Sequence, residues 1–103
     1  MEYILGIDQG GSKTHAVIAD AAGRILGMGK SYGACHSSSS LEYAMGAILE
    51  ASDQALNACG ITRKEINAVV GGLTGIDWDY EAALLEECIG KSFPVAAVQV
   101  VND

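Results

Sequence analysis

Positive charge is scarce in this chain. Six Lys and Arg stand against thirteen Asp and Glu, a net charge of −7 over 103 residues. The six are scattered. A nucleic-acid surface needs clustered Lys and Arg, and an anionic membrane attracts the same clusters, so neither partner is expected. Long apolar runs are missing too. None reaches the roughly 18 residues needed to span a bilayer. The opening MEYILG has no basic region ahead of its short apolar run and does not read as a signal peptide. The cysteines, Cys35, Cys59 and Cys88, are odd in number, and no pair has metal-ligand spacing. They read as reduced, mostly buried small hydrophobes, as expected of a cytoplasmic protein.

What remains is apolar enough to fold. Half of the residues are hydrophobic and 18% are charged, the balance of a soluble globule. The length sets a limit of one domain with a small core.

Residues 2–7 are apolar at almost every position and read as a strand covered on both faces. Residues 14–20 (THAVIAD) form a second strand and residues 24–31 (RILGMGKS) a third, whose glycines point to close packing or bulges. The links are too short for crossovers, so these three strands are antiparallel neighbours. The period then changes. Ser39-x-x-Glu42 reads as a capping box opening a helix, with Leu41, Met45, Ile48, Ser52, Ala55, Leu56 and Cys59 on one face. Gly60 stops it, and Gly46 inside it costs up to about 1 kcal/mol against alanine. Thr62-x-x-Glu65 opens at most one further turn. A buried strand covers residues 66–73. A helix over residues 78–89 follows, capped by Asp77 or Thr74 and ended by Gly90, with Asp79 and Glu81 near its positive end. Residues 95–101 form the last strand.

The order β-β-β-α-β-α-β predicts an α/β fold. A three-stranded meander leads into two right-handed crossovers, a ribonuclease-H-like mixed sheet of order 3-2-1-4-5. Ligands of such sheets gather at the carboxyl ends of the parallel strands. Asp8, Thr74-Gly75 and Asp103 all fall there.

The loop after the first strand, GIDQGGSKT (residues 6–14), admits two readings. Gly10-Gly11 suits the positive φ angles of a tight hairpin and needs no further role. Against that, an Asp at the end of a buried strand is costly unless it binds something. Paired glycines can also expose successive N–H groups to an anion. Ser12 and Thr14 add hydroxyls and Lys13 a cation. Asp8 would reach a phosphate only through Mg²⁺, by way of a bound water.

The same stretch resembles the first phosphate motif, D-G-G-G-T-K-T, of the sugar kinase/actin superfamily. More narrowly, it is similar to that of the N-acetylglucosamine kinase and BadF/BadG/BcrA/BcrD-type ATPase family, with Gln9 where glycine is usual and Ser12 for threonine. Gly71-Gly72-Leu73-Thr74-Gly75-Ile76-Asp77 is similar to the family's G-L-S-G-x-D segment beside the sugar pocket. Val100-Val101-Asn102-Asp103 looks like the strand end that carries its catalytic aspartate. Gly33-Ala34-Cys35-His36 stands where the family has a substrate-side G-P-S-N loop, with His36 in place of asparagine.

The resemblance implies an actin-like ATPase lobe that uses ATP and Mg²⁺ to phosphorylate an amino sugar, first of all N-acetylglucosamine. Gly10, Gly11, Ser12, Lys13 and Thr14 would hold the phosphates and Asp8 the hydrated metal. Asp103 would be the general base. His36, Thr74, Gly75, Asp77 and Asn102 would line the acceptor site. It also implies a second lobe beyond residue 103 for adenosine, so that these residues alone bind ATP weakly and do not turn over. A sheet cut at its fifth strand would expose apolar surface, and a homodimer is possible.

Plainer roles stand beside these. His36 reads equally as a surface-loop histidine and His15 as structural. Asp77 reads as a helix cap, Trp78 as packing, and Glu86 and Glu87 as a solvated face. Three rival functions stand beside this reading; the first two fit the pattern less well, and the third would leave much the same sequence. One is an ATPase activating a CoA-thioester reductase or dehydratase, which would use clustered cysteines. Another is a ribonuclease-H-type nuclease with Asp8 and Asp103 as metal ligands. The third is a non-catalytic sugar sensor.

Overall fold

Five strands and two helices follow in the expected order in a computed structural model that describes residues 2–103. They are β1 (Tyr3–Gln9), β2 (Lys13–Asp20), β3 (Ile25–Tyr32), α1 (Leu41–Cys59), β4 (Ile66–Leu73), α2 (Asp79–Ser92) and β5 (Ala97–Asn102), with a 3₁₀ turn at Arg63–Glu65. The sheet order is β3-β2-β1-β4-β5. β1 pairs antiparallel with β2, and β2 with β3; β4 pairs in parallel with β1 and β5. Links of a few residues can only make hairpins, and the two helices supply the crossovers that parallel pairing needs.

The expectation that β1 is covered on both faces is overturned. Both helices pack on one face, against Leu5 and Ile7 of β1, Val69 and Leu73 of β4 and Val100 of β5, with Ile48, Leu56, Leu85, Ile89 and Phe93 facing them. Among the described residues the opposite face has no helix. Ile4, Met28 and Val70 are exposed on it. An unbroken apolar run fits either environment, so the sequence does not separate them.

α1 rests on β3 without large side chains between them. A Cβ on Gly27 would lie 2.4 Å from the carbonyl oxygen of Ala55, and one on Gly29 2.0 Å from that of Ala51. The buried stripe of α1 is accordingly alanine-rich: Ala44, Ala47, Ile48, Ala51, Ser52, Ala55 and Leu56. Leu41, Met45 and Cys59, placed on that face by periodicity, pack at its margin. Gly46 makes room for the Tyr32 hydroxyl, which would stand 2.7 Å from a Cβ there.

The cap of α1 is Ser40, not Ser39: its hydroxyl accepts the N–H of Tyr43 at 3.0 Å. Gly60 closes the helix in the left-handed region at φ 73°. Thr62 and Glu65 pair as expected, with the Glu65 carboxylate taking the Thr62 N–H at 3.0 Å. α2 is capped by the backbone of Trp78, so neither Asp77 nor Thr74 is its cap. It also runs through Gly90 to Ser92. Phe93, fully buried, draws that last turn into the core, and Pro94 cannot prolong it. Glu86 is not a solvated side chain. Its carboxylate accepts the Val100 N–H at 2.9 Å and so covers part of the free edge of β5.

Candidate functional site

The first loop is a hairpin in which the Gly10 N–H donates to the Lys13 carbonyl at 3.0 Å. Neither Gly10 nor Gly11 has positive φ, contrary to the hairpin expectation. What their missing side chains leave is space. Nothing lies within 4 Å of a Cβ placed on Gly11, and Gly11, Ser12 and Lys13 are exposed.

The side chains that hold the loop lie beneath it. Gln9 is 2% exposed. Its Nε2 donates to the Thr14 hydroxyl at 3.1 Å and to the Ala44 carbonyl in the first turn of α1 at 3.0 Å. Thr14 is fully buried, and its hydroxyl donates in turn to the Tyr32 carbonyl at 2.9 Å. Donor and acceptor are both spent, which removes Thr14's hydroxyl from the groups that can meet a phosphate. The Gly10 N–H is likewise spent, on Lys13, whereas Gly11, Ser12 and Lys13 stay exposed at the tip. The carbonyl of Gly10 takes the Ala34 N–H at 3.1 Å. Gly33 lies so close that a Cβ would be 2.3 Å from the Gly11 oxygen. The loop after β3 is thereby joined to the hairpin, backbone against backbone. A glycine immediately after a strand was the only sequence sign of that join.

Asp8 and Asp103 meet on the helix-free face. Asp8 is in register with Gly72, and Gly72 with Val101. Alternation puts Asp103 on the same side as Val101. The Asp103 N–H continues the ladder to the Leu73 carbonyl at 3.0 Å. Gly72 has no side chain to part the two carboxyls; a Cβ there would lie 3.5 Å from Asp103 Oδ1. The hydrogen bond to Asp8 and the repulsion of its charge hold the Asp103 carboxyl above the usual carboxylate range. An open trough of about 320 Å³ adjoins the pair, lined by Gly6, Ile7, Asp8, His15, Val17, Val70 and Gly72. His15 thus borders the site.

The acceptor-side residues collect around the turn after β4. The Thr74 N–H bonds the Gln9 carbonyl at 2.9 Å. Gly75 is left-handed at φ 83°, and a Cβ there would sit 2.5 Å from Cys35 Sγ. Asn102 Oδ1 accepts the Ile76 N–H at 3.2 Å, so one half of that amide is already used. The Asp77 carboxylate is exposed. His36 is not a loose surface histidine. Its Nε2 is 2.7 Å from Glu81 Oε2, with both side chains about one-tenth exposed (10% and 11%). Glu81 Oε1 takes the N–H groups of Asp77 and Trp78, each at 3.1 Å. Burial pushes the Glu81 carboxyl up, but His36 and the two N–H groups outweigh it and hold the carboxyl below its ordinary value. Glu81 escaped the sequence reading because an acidic residue in a first helical turn is already explained by the dipole.

Two adjoining carboxylates suit a cation that arrives with a nucleotide. They are too few to make an all-protein cage for a resident one, and among the described residues no three His, Cys, Asp or Glu side chains gather. The exposed hairpin N–H groups and Lys13 suit the phosphates that such a cation accompanies. The cysteines are free and half-buried at three separate places. No described helix is long and apolar enough to cross a membrane.

Known proteins share this fold. The whole chain is 29% identical to the N-acetylmuramic acid/N-acetylglucosamine kinase of Clostridium acetobutylicum, and it spans 34% of that protein's length. Candidate N-acetylglucosamine kinases of solved structure superimpose well. The one from Chromobacterium violaceum has a TM-score of 0.78 at 20% identity, over 99% of this chain and 35% of its own. The one from Porphyromonas gingivalis has a TM-score of 0.74 at 24% identity, over 100% of this chain and 34% of its own. The fold is therefore that of the actin-like ATPases. Residues 5–92 match the BadF/BadG/BcrA/BcrD ATPase family, and the chain belongs to that family.

Proposed function

We propose that these residues are the phosphate- and acceptor-binding N-terminal lobe of an ATP-dependent kinase acting on an amino sugar, N-acetylglucosamine first among them. The observation that carries the reading is the Asp8–Asp103 carboxyl pair at the sheet edge that also carries the exposed Gly11–Lys13 tip. Similarity to a kinase of the two N-acetylated sugars supports the class of acceptor.

Phosphoryl transfer needs positioning and charge neutralisation more than covalent help. The N–H groups of Gly11 and Ser12, with the Ser12 hydroxyl and the Lys13 ammonium, bind the phosphates of ATP, and Gly10 closes the turn beneath them through its own N–H. Asp8 faces the hydrated Mg²⁺ that accompanies them, and that ion supplies charge neutralisation when bound. Asp103 takes the proton of the attacking sugar hydroxyl as general base. Its raised affinity for a proton in the presence of Asp8 fits that duty. His36, Thr74, Gly75, Asp77 and Asn102 shape the acceptor side. A further lobe, matching the remaining length of the relatives, would hold the adenosine.

The test is sugar-dependent ADP release by the natural full-length chain with Mg²⁺, across a panel of amino sugars. Release with N-acetylglucosamine, lost in Asp103→Asn while ATP still binds, is the expected result. Release with no sugar, or full activity in Asp103→Asn, overturns it.

A further inference from the structure

Glu81 does more than an acidic residue in a first helical turn requires. A dipole partner works from an exposed position, as the neighbouring Asp79 does. Glu81 is 8% exposed, and a buried carboxylate is costly unless its lone pairs are met. Three donors meet them: His36 Nε2 at 2.7 Å and the N–H groups of Asp77 and Trp78, each at 3.1 Å. One side chain thus fastens the loop after β3 to the turn after β4, across 45 residues of sequence.

We propose that Glu81 is the positioning residue of the acceptor site, fixing both the place and the tautomer of His36. The proposal rests on the reading of this side as the acceptor pocket. The chemistry follows from proton inventory. An ionised carboxylate only accepts, so Nε2 must carry the hydrogen of the contact. Nδ1 is then the one ring nitrogen left for a ligand, and in the neutral ring it accepts a hydrogen bond. A sugar hydroxyl or an amide N–H supplies the matching donor. The asparagine usual in the resemblance presents both a donor and an acceptor at this place. In its neutral form His36 held by Glu81 presents a single acceptor, and that narrows which acceptor groups fit. The loop has little freedom to find another arrangement. His36 Cε1 would lie 3.8 Å from a Cβ on Gly75, and Cys35 Sγ presses on the same left-handed residue.

The experiment compares Glu81→Gln with Asp79→Asn in steady-state kinetics of the full natural chain. It is joined to ¹⁵N NMR of the His36 ring in the unsubstituted protein and in Glu81→Gln. Glu81→Gln keeps the side chain's shape and an oxygen for the two N–H groups, and circular dichroism checks that it folds. The expected result is a rise of about tenfold in sugar KM, the loss of one charge-assisted hydrogen bond, with ATP KM unchanged. Asp79→Asn should leave both constants alone. The ring should be the Nε2–H tautomer in the unsubstituted protein and lose that preference in Glu81→Gln. An unchanged sugar KM in an otherwise active Glu81→Gln, or an Nδ1–H ring in the unsubstituted protein, overturns the proposal. Absence of sugar-dependent transfer in the unsubstituted protein overturns the kinase reading instead, and the NMR comparison still tests Glu81's hold on His36.

Discussion

The two loop clusters at the carboxyl edge of the sheet are built on opposite plans. Under the hairpin, the groups that give it shape are Gln9 and Thr14, both buried, and they bond to Ala44 and Tyr32. The tip, Gly11 to Lys13, stays exposed. Around the turn after β4, the ligand-facing candidates are themselves the fasteners: His36 is bound to Glu81, and Asn102 to Ile76. The first plan separates support from contact, and the second merges them. Substitutions at the hairpin should therefore divide cleanly into those that unfold and those that weaken binding. Substitutions in the acceptor cluster should do both at once.

The most damaging way to break the contrast is to part the clusters where they join. Gly33→Val places side-chain atoms where the backbone of Gly11 and Ser12 already lies, 2.3–2.4 Å from an ideal Cβ. Overpacking against backbone costs about 1–3 kcal/mol, and both clusters should suffer. Urea unfolding should show the loss, and MgATP and sugar binding should fall together. Gly75→Ala comes next. The left-handed φ of 83° costs a residue with a Cβ about 1 kcal/mol, and the contact with Cys35 Sγ adds to it. Gly75→Ala combined with Cys35→Ala should recover the steric part and leave the backbone part. A double variant no more stable than Gly75→Ala alone would mean that the thiol is not what Gly75 avoids.

A third variant tests the separation of duties directly. Thr14→Val keeps the shape but leaves the Gln9 amide short of one partner and the Tyr32 carbonyl without its donor. Such a buried loss costs about 1–3 kcal/mol. Stability should fall, while MgATP affinity, corrected for the folded fraction, should hold. A fall in affinity with stability intact would return the Thr14 hydroxyl to the phosphate.

Much of this layout was legible in the sequence, and the failures share a cause. Strand order follows from apolar runs and link lengths, which are local facts. The carboxyl-edge placement of Asp8, Thr74 and Asp103 follows from strand order. Ser40 rather than Ser39 as cap is a one-residue choice within four identical serines, settled by which hydroxyl meets the Tyr43 N–H. Gln9 looked like a departure from a glycine loop. Its role depends on a carbonyl 35 residues away. Glu81 and Glu86 looked like ordinary helix acids, yet one meets His36 and the other the edge of β5. Periodicity tells which face a residue is on; it does not tell what waits across the gap.

The smallest effect concerns the carboxyl pair, where the change is in protons rather than in folding. Asp8 raises the proton affinity of Asp103 through a hydrogen bond and through its charge. An acid whose folded pKa is raised binds its proton more tightly in the native state. Its contribution to stability is therefore full below the unfolded value and is lost as pH rises through the folded one. Asp8→Asn removes the charge. In carbon-detected NMR the Asp103 carboxyl should then titrate at lower pH, and stability should stop declining with pH across that window. An Asp103 titration untouched by Asp8→Asn would separate the two carboxyls and leave Asp103 without the neighbour that suits it to proton transfer. A shift would show that the hairpin side reaches the site's chemistry through charge, while the acceptor side reaches it through shape.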